Sequence, residues 1–161
     1  MQNQYAAAIL TISDTRSCGG CDDITGQKVK ELIVAYSFEV KAYEVIPDDP
    51  LRIRDRLIYF CDDLKCDVVL TNGGTGFSPR DFTPEVTKEI IEKEIPGLAE
   101  AMRALGGQKT KRAYLSRAVC GIRGRSLIIN LPGSPRGAEE SLEVVVDLID
   151  HAIKMIRGEG H

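Results

Sequence analysis

Histidine is scarce in this sequence: of 161 residues only His151, inside a helical pattern, and His161, at the very end, are histidines. Whatever chemistry the chain performs must therefore run without a histidine near its working loops. Basic excess is missing too. The net charge is −3 and the isoelectric point near 5.5, which argues against a general nucleic-acid binder. No stretch approaches the roughly 18 consecutive apolar residues of a membrane span, and the opening "MQNQYAAAILTIS" carries no basic n-region and no cleavage site. A cytoplasmic protein with no membrane partner is expected. Repeats, low-complexity tracts and linkers are absent as well, so the chain reads as a single domain, 1–161, large enough to bury roughly 70% of its unfolded surface.

Cysteine is present but without a framework. Cys18, Cys21, Cys61, Cys66 and Cys120 in a cytoplasmic chain read as free thiols. "CGGC" at 18–21 has the spacing of a redox or zinc motif, yet zinc would need two more soft ligands. Asp22 and Asp23 follow at once and disfavour a reactive thiolate. A flexible surface loop is the reading that stands.

The remaining pattern alternates strands and helices. Ala6 to Ile12, Phe38 to Ile46, Asp67 to Thr71 and Ser126 to Leu131 read as strands, mostly apolar throughout, as in strands covered on both faces. A helix from Ile24 to Tyr36, capped by Asp23 or Thr25, turns Val29, Leu32, Ile33 and Tyr36 inward. Leu51 to Leu64 forms a second helix, with Ile53, Leu57, Cys61 and Leu64 on its inner side. Thr83 reads as the cap of a third helix, running to Glu94 with Pro84 in its first turn. A short helix carrying Leu98, Met102 and Leu105 follows, then a polar loop over 106–112. The stretch 113–122 has no clear pattern. A long last helix carries Leu142, Val145, Ile149, Ile153 and Ile156 on one side. This order predicts an α/β protein, a three-layer α/β/α sandwich around a mostly parallel sheet.

Four loops then leave the carboxyl ends of predicted strands: "SDT" (13–15), "PDD" (47–49), "TNGGTG" (71–76) and "PGSP" (132–135). Ligands of open α/β sheets bind at that end. From Thr71 to Gly76 the chain spends Gly73, Gly74 and Gly76 around Thr75, letting successive N–H groups close round an anion. Ser134 and Pro135 read as N-cap and first residue of the last helix, whose free N–H groups favour a phosphate. Asp14, Asp48 and Asp81 beside phosphates would repel them unless a divalent cation such as Mg²⁺ stood between. Arg80 and Arg136 are suited to bidentate phosphate contacts. Each feature has a plainer use: Asp81 as a helix cap, Asp48 in an Asx turn before Pro50, "PGSP" as a tight turn. The glycine loop is neither a P-loop, lacking G-K-[ST], nor a G-x-G-x-x-G dinucleotide loop.

"TNGGTGFSPRDFTPEVT" resembles the molybdenum-cofactor biosynthesis proteins of the MogA/MoaB type, including the G domain of gephyrin. The likeness extends to "LTISDT", "IPDD", "IPGLAEAMR", "LSRAVCGIRGRSLIINLPGSP" and the last helix, nearly the whole chain. The resemblance implies that molybdopterin is bound and its terminal phosphate adenylylated with Mg-ATP, the product passing to a metal-inserting MoeA-type protein. It implies Asp48 and Asp81 as the key acids, also holding Mg²⁺. Gly73 to Gly76 and the loop Pro132, Gly133 and Ser134 match its phosphate- and nucleotide-holding segments, and Asp14, Ser116 and Arg117 match further ligand-side positions. Ser134 stands where many members carry Asn or a basic residue. A homotrimer is implied, with a hexamer as the variant. Metal insertion is not expected of this chain, since no second domain follows. Two alternatives stay open: a non-catalytic MoaB-type pterin-binding protein, and the same activity serving a tungsten cofactor.

Overall fold

The structure, a computed structural model, describes residues 4–159. At its centre lie three parallel strands that are mainly apolar on both faces because both faces are covered: β1 (Ala6–Ile12), β3 (Val68–Asn72) and β6 (Ser126–Leu131). β2 (Glu39–Ile46) pairs in parallel with β1 at one edge. The full order is β2-β1-β3-β6-β5-β4, where β4 (Lys93–Glu94) and β5 (Cys120–Arg123) close the far edge through antiparallel pairings. β1 sends the chain one way to β2, and β3, on its other side, sends it the opposite way towards β6. The gap between the ends of β1 and β3 is thus the topological switch point.

Alternation along the strands feeds two separate cores. Ala7, Ile9, Val68, Leu70, Leu127, Ile129 and Leu131 face one layer, made by α2 (Ile24–Ala35), α5 (Pro96–Lys109) and α6 (Pro135–Ile156). Ala8, Leu10, Ile12, Val69 and Ile128 face the other, made by α3 (Pro50–Ile58), the π-helical turn Tyr59–Asp63 and α4 (Thr83–Ile90). Each fully buried Leu or Ile among them contributes about 1.5–3 kcal/mol of transfer free energy. The expected three-layer sandwich is what forms.

Several boundaries differ from the sequence expectation, each for a local reason. β2 starts at Glu39, one residue after the buried Phe38; as an edge strand it leaves Glu39 and Lys41 exposed instead of being apolar throughout. Tyr36 caps the end of α2 and is exposed rather than inward. The second helix changes to π-helical turns at Tyr59, which bring Phe60 and Cys61 into the core while Leu64 stays half-buried. α4 ends at Ile90, and Glu94 lies in β4. α5 continues through Gly106 and Gly107 to Lys109, taking most of the expected polar loop into helix. Gly107 packs there directly against the Tyr114 ring of the 3₁₀ turn Lys111–Leu115, where any Cβ would collide. The unplaced stretch resolves into that turn, an extended connection and β5.

Candidate functional site

The four loops meet at the switch point through named bonds. After β1, the Ser13 N–H donates to the Ile46 carbonyl at 2.9 Å, and Ser13 caps α1 (Asp14–Ser17). Asp14 and Asp48 then bond reciprocally: each backbone N–H donates to the other's carboxylate at 3.0 Å. Arg80 forks onto Asp14, with Nε to Oδ2 at 2.6 Å and Nη2 to Oδ1 at 3.0 Å, and Nη2 also reaches the Asp48 carbonyl at 3.2 Å. Arg80, expected to meet phosphate, thus stitches two loops together. Neither Asp48 nor Asp81 has the plainer use open to it in the sequence. Asp49, not Asp48, caps α3; Asp81 closes its own turn by accepting the Ser78 N–H at 2.8 Å; α4 has no side-chain cap.

The glycine loop sits between these acids and the loop before α6. Gly73 (φ +98°) donates its N–H to the Leu131 carbonyl at 3.1 Å, and a Cβ on it would land on the Ile12 carbonyl oxygen. A Cβ on Gly133 would touch the Gly73 Cα at 3.3 Å, so the two loops are in contact. The Gly133 carbonyl accepts from Thr25 Oγ1 at 2.8 Å and from Arg16 at 3.3 Å. Ser134 caps α6, with its hydroxyl accepting from the Gly137 N–H at 3.2 Å, and Pro135 is the first residue, as expected.

Electrostatics separates the two paired acids. The Arg80 fork, aided by the Asp48 N–H, holds Asp14 below the usual carboxylate range. Asp48 is pushed up, first by burial and then by the charges of Asp14 and Asp81, against the Asp14 N–H and Arg80. Two neighbouring carboxylates are thereby driven in opposite directions.

Beside this rim lies a cavity of about 720 Å³, bounded by Gly74, Thr75, Gly76 and Asp81 on one wall and by Gly133 and Ser134 on another. Its third wall carries Arg103, Lys109 and Arg112 from α5 and the turn after it. These cations fall in or beside the expected polar loop, where the cluster "KTKR" was the signal available in the sequence. Arg136 lies on the same lining and pairs with Glu140 at 2.9 Å. Ser116 also lines the cavity, while its carbonyl accepts from Arg103 at 3.2 Å. Arg117 instead faces the glycine loop's backbone. Thr71 is fully buried, accepting an Asn130 amide hydrogen bond at 3.0 Å, and Pro132 lies at the cavity edge. Thr83, expected as a cap, is the first residue of α4 and gives its hydroxyl to the Gly73 carbonyl at 2.9 Å.

A buried polar cluster beneath the loops had no sequence signal beyond the cap assignment. Asp23 caps α2 through the Gly26 N–H at 3.0 Å and accepts from Thr11 Oγ1 at 2.6 Å and from the Tyr43 hydroxyl. Asn72 extends the chain to Thr11 at 3.0 Å. The "CGGC" loop lies outside all of this, with Cys18 and Cys21 exposed; burial pushes Cys61 and Cys66 up to about 11 and Cys120 to about 12, which keeps them inert.

Comparison with known proteins agrees with this architecture. Residues 8–151 match the family described as "Probable molybdopterin binding domain". The chain is 40% identical to the molybdopterin adenylyltransferase of Helicobacter pylori J99, over 93% of this chain and 86% of that protein. It is 36% identical to that of Escherichia coli K12, over 90% and 75%. The solved molybdopterin biosynthesis enzyme MoaB of Thermus thermophilus superposes with a TM-score of 0.91 at 48% identity, covering 96% of this chain and 98% of that one. Similar along nearly its whole length in sequence and in fold, the chain belongs to the MogA/MoaB family of molybdenum cofactor biosynthesis proteins.

Proposed function

We propose that this chain transfers the adenylyl group of ATP to the terminal phosphate of molybdopterin. A pterin phosphate oxygen attacks the α-phosphorus, the bond from that phosphorus to the bridging oxygen breaks, and pyrophosphate leaves with the electron pair. The nucleophile is already an anion at neutral pH, so no side-chain base is needed. What remains is to hold two polyanions in line and to offset their charge. The observation that carries the reading is the meeting of an acidic pair and a glycine loop at the switch point, with that same glycine loop forming one wall of a cavity whose other side carries Arg103, Lys109 and Arg112.

The donor set suits Mg²⁺. Among the described residues no three His, Cys, Asp or Glu side chains gather to hold a metal by themselves. Mg²⁺ uses one or two carboxylates and takes its other ligands from phosphate and water. Asp48 is raised first by burial and then by the charges of Asp14 and Asp81, and a dication beside it would offset both. Asp48 and Asp81 would hold it, and it would supply charge neutralisation at the phosphates. Arg103, Lys109 and Arg112 would draw the anions into the cavity, and the N–H groups of the glycine loop would orient them.

A cytoplasmic homotrimer that hands its product to a MoeA-type protein belongs to the same proposal. No helix among the described residues is long and apolar enough to cross a membrane. The test is pyrophosphate release on mixing molybdopterin with Mg-ATP. Asp81→Asn and Asp48→Ala should keep the fold and lower the rate roughly 100-fold or more. Release at the wild-type rate in both variants would remove these acids from the reaction, and no release by the wild type would favour a pterin-binding role without catalysis.

A further inference from the structure

The carbonyl edge of the glycine loop is tied down residue by residue. The Gly73 carbonyl accepts from the Thr83 hydroxyl at 2.9 Å and the Gly74 carbonyl from the Thr83 N–H at 3.2 Å. The Thr75 carbonyl accepts from the Arg117 N–H at 3.0 Å and the Gly76 carbonyl from Arg117 Nε at 2.8 Å. Two residues thus bind four consecutive carbonyls. A trans peptide points its N–H opposite to its carbonyl. Fixing those carbonyls therefore turns the N–H groups of Gly74, Thr75, Gly76 and Phe77 away from Thr83 and Arg117. None of these four N–H groups donates a hydrogen bond among the described residues. Gly74, Thr75 and Gly76 line the cavity.

Both clamping residues are themselves held. Thr83 is fully buried at the start of α4, where its N–H has no partner within the helix and is free for Gly74. Arg117 Nη1 pairs with Glu85 Oε2 at 2.6 Å and Nη2 donates to the Asp81 carbonyl at 3.1 Å, which engages all three guanidinium nitrogens on protein oxygens.

We propose that Thr83 and Arg117 are positioning residues for the adenylyl-transfer site: they touch no substrate but turn the peptide N–H groups of the cavity-lining Gly74, Thr75 and Gly76 to one phosphate or pyrophosphate. The inference rests on the proposed function and separates Arg117 from the ligand-side role that the family resemblance implied. Replacing Thr83 by Val keeps the shape but frees the Gly73 carbonyl, so that peptide can turn and present an oxygen to the anion. Ser at the same place restores the donor.

The experiment measures calorimetric affinity for inorganic pyrophosphate, the KM for ATP and the melting temperature. Thr83→Val should bind pyrophosphate about tenfold more weakly and raise KM by a similar factor, about the worth of one misdirected hydrogen bond, and Thr83→Ser should recover both. Arg117→Gln should lose affinity likewise, and added guanidinium should restore it in part. Should Thr83→Val lose its folding transition, the Arg117→Gln and guanidinium arm carries the test alone. Wild-type affinity in Thr83→Val and Arg117→Gln, or lost affinity that neither Ser nor guanidinium recovers, would overturn the positioning role while leaving the proposed function intact. A wild-type protein that neither binds pyrophosphate nor turns over would overturn both.

Discussion

Two glycine pairs follow parallel strands of this sheet, Gly19–Gly20 after β1 and Gly73–Gly74 after β3, and they share little beyond composition. Gly19 sits at φ +78° with no atom within 4 Å of where a Cβ would stand, between two exposed cysteines. Gly73 and Gly74, at φ +98° and +69°, are walled in by the Ile12 carbonyl and the Thr83 hydroxyl. Gly19 needs to be glycine only to turn the chain, while a Cβ on Gly20 would meet just its near neighbour Thr15, at 3.0 Å from the carbonyl oxygen. At the second, glycine also admits strand, helix and loop to the same small volume. A glycine-rich run therefore marks a site when other elements close upon it.

The sharpest way to break that contrast is to add one methyl group at each place. Gly73→Ala should cost about 3–5 kcal/mol in chemical denaturation, from a strained φ combined with a clash, and abolish turnover. Retained stability would mean that the β1 and β3 ends are looser than they look. Next in size is an acid effect at the Asp14–Asp48 pair, whose Asp48 carboxylate lies against the walled loop at Gly74. Asp48, raised by burial, disfavours the fold at neutral pH, and that penalty lifts as pH falls below its folded value; Asp14, lowered by Arg80, stabilises above the ordinary carboxylate pKa, and its contribution goes only as pH falls through a still lower value. Turnover should thus decline on acidification before the melting temperature does, and Asp48→Asn should melt at pH 7 no lower than the wild type. Parallel loss of both would place the acid-sensitive group elsewhere. The smallest effects belong to the open loop. Gly19→Ala should cost about 1–2 kcal/mol for the left-handed conformation alone. The pair Cys18→Ser and Cys21→Ser should leave turnover and melting unchanged within about 0.5 kcal/mol; a lost activity there would make "CGGC" a working dithiol.

Element order was readable because β1, β3 and β6 are buried on both faces and are apolar at most positions, with no charged residue in them. The edge elements were not. β4 has only two residues and β5 four, too few for periodicity to register. Gly106 and Gly107, read as loop, are helical because tight packing against Ala113 and Tyr114 outweighs their intrinsic cost, roughly 1 kcal/mol each. Asp14, Asp48 and the glycines were identifiable as unusual residues at strand ends. Their partners were not: Arg80 lies 66 residues from Asp14, and Thr25 lies 108 from Gly133. Arg117 reads as a ligand residue by resemblance and is bound up with backbone.

From the sequence alone came the layers, the order of the helices and of the four parallel strands along the chain, and the end of the sheet where the glycines and aspartates gather, because hydrophobic period and turn chemistry are local properties. Tertiary structure alone decided which carbonyls are tied back, which N–H groups stay free and which of two adjacent aspartates is pushed up. Those outcomes depend on contacts set to within a few tenths of an ångström between residues far apart in the chain, and such contacts exist only after the two cores have packed.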